Sequence, residues 1–146
     1  AISIAVFSTL KLHFKKNTLN LHRSKLQMAT KNEVEIFLKE LKMKMNVFGI
    51  LFLDDRGKNQ QTLFDLEISP AKRKEIISSL KAEDYSQGPL IEKMRGILPM
   101  WVFGKEVKKR DVYIKISMGI ENAQAVCISF HLAEHQISYP LKIQAS

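Results

Sequence analysis

Cysteine is almost absent from this 146-residue chain: Cys127 is the only one. No internal disulfide framework can form, and a reducing, cytoplasmic setting is expected. Long apolar runs are lacking as well. None approaches the ~20 residues a membrane span needs, so no membrane partner is expected from a spanning helix. There is no internal repeat and no low-complexity tract. Walker, G-x-G-x-x-G, H-E-x-x-H and G-x-S-x-G patterns are all missing. ATP, dinucleotide, zincin and α/β-hydrolase readings lose their usual support with them. His131 and His135 form H-x-x-x-H near Cys127, but that spacing suits a helix and His131 ends a strand. No metal and no other cofactor is expected.

What is present fits one globular domain. Hydrophobic residues make up 45% and charged residues 26%, enough for a real core. The net charge is +8. It favours an acidic partner: nucleic acid, an anionic surface or an acidic protein. The charge is unevenly spread. Residues 1–27 carry +5 and no acid, which leaves +3 for residues 28–146. The first 27 residues read either as an amphipathic membrane-binding segment or as an upstream translated extension. The extension, expected to be disordered, is the simpler reading, with Met28 as the natural start and 28–146 as a single domain.

Along that domain, Thr30 and Glu33 form the capping box T-x-x-E. Val34, Phe37, Leu38, Leu41 and Met45 follow at helical spacing, with Glu40 and Lys44 among the charges assigned to the solvated face. Residues 48–53 read as a short strand and 54–58 as a turn. Arg56 and Lys58 in that turn are candidate phosphate contacts. A short helix is expected within 60–66. Ser69-Pro70 starts another, whose Lys72, Arg73 and Lys74 read as a solvated face. That helix should end before Gly88-Pro89, and residues 88–99 should be a loop.

Residues 100–135 hold three consecutive strands: MWVF, DVYIKISM and AVCISFH. Short connections make them antiparallel neighbours. Alternation puts Val112, Ile114 and Ile116 on one face and Tyr113, Lys115 and Ser117 on the other. In the last strand it groups Val126, Ile128 and Phe130 against Cys127, Ser129 and His131. The expected fold class is α+β: a small antiparallel sheet with helices packed on one face and a polar face left for function. Trp101 and Phe103 are candidates to stack on bases, although an aromatic pair at strand period is more often core.

DVYIKISM followed by AVCISFH resembles the C-terminal strands of the MqsR family of toxin–antitoxin ribonucleases. Upstream, the order of elements, the Glu83-Asp84-Tyr85 segment and Trp101 opening a strand are similar too. The resemblance spans residues 30–133. It implies a RelE-like α+β fold and a metal-independent endoribonuclease that cleaves mRNA and is neutralised by a cognate antitoxin. Tyr113 matches the family's strand tyrosine. Gln87 stands near a family lysine, Val102 where the family has glutamine, and His131 where it has lysine or another polar residue.

Metal-free RNA cleavage needs a base for the 2′-hydroxyl, stabilised phosphate charge and a protonated leaving group. His131 is assigned acid–base work, because imidazole exchanges protons near neutrality. Lys115 and Lys105 are assigned to phosphate charge, and Tyr113 to positioning or proton transfer. Arg56, Lys58, Gln87, Trp101 and His135 complete the candidate RNA-binding set. The rival reading is a non-catalytic module that binds RNA or an acidic protein. An antitoxin is expected at loop 88–99 or along the strand edge at 100–105.

Overall fold

A computed structural model describes residues 28–55, 57–91 and 98–143 of the chain. The expected N-terminal extension and Arg56 lie outside the described residues, as do residues 92–97 of the expected 88–99 loop. Three helices and five strands follow in the order α1 (Lys31–Phe48), β1 (Ile50–Phe52), α2 (Lys58–Leu66), α3 (Pro70–Ser78), then β2 (Tyr85–Leu90), β3 (Met100–Val107), β4 (Arg110–Ser117) and β5 (Ala125–Leu132). The class is α+β.

Local signals set the helix starts. Thr30 Oγ1 accepts from the Glu33 N–H at 3.2 Å, and Glu33 Oε2 accepts from the Thr30 N–H at 2.8 Å. Two of the orphan donors at the start of α1 are thereby satisfied. Gly49, at φ 82°, turns the chain out of α1 into β1. Ser69 caps α3, and Pro70 occupies its first turn.

The sheet order is β1-β5-β4-β3-β2. Four strands are antiparallel, but β1 pairs parallel to β5, with Ile50 opposite Ala125 and Phe52 opposite Cys127. The sheet is therefore mixed rather than antiparallel throughout. Nothing local in 48–53 indicates the direction of a partner 75 residues away. Strand β2 is also a correction, since Gly88-Pro89 was expected to begin a loop. The Tyr85 hydroxyl, buried, accepts from the Ala29 N–H at 3.1 Å and donates to the Gly88 carbonyl at 2.6 Å. Proline is tolerated there because β2 is an edge strand.

The core lies between the sheet and the helices. Val34, Phe37, Leu38, Leu41 and Met45 of α1 are buried with Ile76 and Ile77 of α3 and with Phe103, Ile114, Ile116 and Phe130 of the sheet. Phe37 stacks on Trp101 with ring centroids 4.5 Å apart. Two charges placed on the solvated face of α1 are buried instead. Lys44 Nζ donates to the carbonyls of Met118 and of Ile120, the latter at 2.7 Å, and so holds the β4–β5 turn. Burial pushes the Glu40 carboxyl up to about 7. Arg73 is buried too. It pairs bidentately with Asp54 at 2.9 and 3.1 Å and lies 3.6 Å over the Phe52 ring.

Candidate functional site

The polar face of the sheet is built around a β-bulge. Lys115 pairs with Ser129 and the next β4 residue, Ile116, pairs with Cys127, so Ile128 is one residue extra. The extra residue reverses the alternation inferred for the start of β5. Cys127 turns into the core, where burial pushes its thiol up and the Sγ–H donates to the Ser129 carbonyl. Beyond the bulge, Ser129 and His131 keep the face of Lys115 and Tyr113. With Cys127 on the other side, the Cys–His grouping considered for a metal falls apart. Among the described residues no three His, Cys, Asp or Glu side chains converge on a metal position.

Helix α2 holds this part of β5. Strand β1 ends early, and side chains of α2 bind the exposed ladder in its place. Asn59 Nδ2 donates to the Leu53 carbonyl at 2.6 Å and to the bulge carbonyl of Ile128 at 3.4 Å, while its Oδ1 accepts from the Phe130 N–H at 3.0 Å. Thr62 Oγ1 accepts from the Leu132 N–H at 3.1 Å. Neither residue stood out in the sequence. Their roles depend on β5, about 70 residues downstream.

Two registered rows cross the face. In one, Gly104, Tyr113 and His131 are successive partners on β3, β4 and β5. The Tyr113 and His131 rings stack with centroids 5.2 Å apart and planes 21° from parallel. His131 Nδ1 lies 2.9 Å from the Leu132 carbonyl. A carbonyl only accepts, so this contact favours the proton on Nδ1 and leaves Nε2 as the base in the neutral ring. In the other row, Gln87, Val102, Lys115 and Ser129 are in register across β2 to β5. Tyr113, Lys115, Ser129 and His131 are half-buried, and Gln87 is exposed at the edge.

Other candidates sit elsewhere. Lys105 is paired with Val112, on the helix-covered side, and its Nζ binds Asp84 at 3.1 Å. Alternation along β3 removes it from the Tyr113 face. Trp101 is 2% exposed beneath Phe37, and Phe103 is fully buried, so both are core and neither can stack on a base. Lys58 opens α2 and pairs with Glu134, whose carboxyl the lysine holds below its ordinary range. His135 is exposed in the tail beyond β5. Val102 is fully buried and offers no reach to a ligand. No helix among the described residues is long and apolar enough to cross a membrane.

No protein-family model, no curated protein and no solved structure matches the chain.

Proposed function

We propose that the chain is a metal-independent endoribonuclease that cleaves mRNA. In this reading it is a toxin of the MqsR kind with a RelE-like fold, working in the cytoplasm and held in check by a cognate antitoxin. The observation that carries the reading is the meeting of Tyr113, Lys115 and His131 on one half-open sheet face, with the tyrosine and histidine rings stacked 5.2 Å apart. Those three side chains match the demands of 2′-oxygen attack. His131 Nε2 takes the proton of the 2′-hydroxyl. The 2′-oxygen bonds to phosphorus while the bond to the 5′-oxygen breaks. Lys115 neutralises charge on the non-bridging oxygens. Tyr113 positions the phosphate and passes a proton to the leaving 5′-oxygen. The products are a 2′,3′-cyclic phosphate and a free 5′-hydroxyl.

One incubation tests this. Naked RNA with purified protein in EDTA should give fragments ending in 2′,3′-cyclic phosphate or 3′-phosphate. Intact RNA after prolonged incubation with folded protein would sink the reading. Two observations favour a second reading, a non-catalytic module binding RNA or an acidic protein on the same face. Lys105 is committed to Asp84, and the buried Val102 holds the place of a family glutamine. A mobility shift without cutting would decide for that module.

A further inference from the structure

Residues 133–143 form a strap across the sheet face. The Ala133 N–H donates to the Asp111 carbonyl at 2.8 Å, extending the β5–β4 ladder by one step. Farther on, Leu141 packs against the core and borders a groove of about 590 Å³ shared with Leu38 and Leu80 on the α1 side. Between these anchors, Ile137 and Tyr139 lie over Gly104. A glycine inside a strand weakens it and often marks a close approach. Here a Cβ at Gly104 would stand 2.9 Å from two Ile137 carbons and would collide with the Tyr139 hydroxyl. The missing side chain is the seat of that hydroxyl.

The seat is in the row already described, because Gly104 is the cross-strand partner of Tyr113, and Tyr113 of His131. Directly paired residues on neighbouring strands stand about 5 Å apart. Burial and the carboxylates of Asp111, Asp84 and Glu106 push the Tyr139 phenol up, so its hydroxyl keeps its proton and stays a donor. Among the described residues no side chain or carbonyl takes that hydrogen bond. A phenol that keeps its proton can donate to a neutral base or ribose oxygen.

We propose that Tyr139 is a further substrate-contacting residue, its hydroxyl donating to a base or ribose oxygen of an RNA strand laid along Tyr113 and His131. This rests on the RNA reading above. The test is fluorescence anisotropy with a labelled, uncleavable 2′-O-methyl oligonucleotide, beside cleavage of the unmodified strand. Tyr139→Phe keeps the ring and its packing, so its melting temperature should match wild type. Its affinity should fall about 3- to 10-fold, the loss of one net hydrogen bond. Gly104→Ala pushes the strap off its seat and should lose at least as much. Wild-type affinity in Tyr139→Phe would overturn the proposal. So would tighter binding or faster cleavage in Gly104→Ala, which would make the strap a cover. Wild-type protein that neither binds nor cuts RNA would overturn the RNA reading itself. Binding by wild type with an indifferent Tyr139→Phe would overturn only the role of Tyr139.

Discussion

On the helix side of the sheet, β3 and β4 present Trp101, Phe103, Ile114 and Ile116, none more than 2% exposed. On the other side β4 and β5 present Tyr113, Lys115, Ser129 and His131, all half-buried, while Val102 and Gly104 of β3 are buried there. Neighbouring residues thus meet opposite environments. Rings on the first side both stack on Phe37 of α1. Rings on the second side stack as a pair with a lysine in the next row and a strap beside them. Substitutions should divide along that line: one side sets stability, the other recognition and chemistry.

His131→Ala offers the largest effect. Removing the proposed acid–base group should slow RNA cleavage by about 10²–10⁴-fold, with the melting temperature little changed. A folded variant cutting at the wild-type rate would break the comparison at its functional end. Phe37→Ala tests the other end. It removes the ring sandwiched against Trp101 and Phe103 and should cost about 3–5 kcal/mol in urea denaturation. A cost under about 1 kcal/mol would show that the helix side is not the stabilising one.

Glu40 sharpens the contrast through pH. Its folded-state carboxyl is raised to about 7 from an ordinary 4.5. Below the lower value both states bind the proton and nothing is lost. Between the two values the unfolded chain ionises first, so stability falls as pH rises and levels off above about 7. Glu40→Gln should flatten that fall and gain about 1–3 kcal/mol at pH 8. An unchanged pH dependence of stability would exclude Glu40 as its source. The smallest effect is expected for Lys105→Met. Its ion pair with Asp84 is partly exposed and should be worth at most about 1 kcal/mol. Cleavage should be untouched, because Lys105 is on the helix side. A strong loss of cleavage would return it to the site.

The α1 capping box, the start of α3 and the three C-terminal strands were legible because each depends on neighbours within a few residues. Tyr113 and Lys115 were legible as face-mates for the same reason, since β4 alternates without interruption. Cys127 was misplaced because one bulge at Ile128 overrides the strict period of two. Arg73, Lys44 and Glu40 read as surface charges. Their burial is set by partners far along the chain, Asp54 for the arginine and the β4–β5 turn for the lysine. For Glu40, no such signal exists in the helix pattern.

By itself, then, the sequence determined the segments that become α1, α3 and the three C-terminal strands, and which face of β4 is polar; it did not show β2. Propensity, capping and alternation act locally, and they survive without knowledge of the partner. Only the tertiary structure decided that β1 runs parallel to β5, that Asn59 and Thr62 replace a strand on the β5 edge, and that Lys105 and Trp101 leave the Tyr113 face. It also decided that Tyr139 rests where Gly104 has no side chain. Each of these is a contact between segments distant in the chain, and its energy comes from surfaces and hydrogen-bonding groups that meet only once the sheet is assembled.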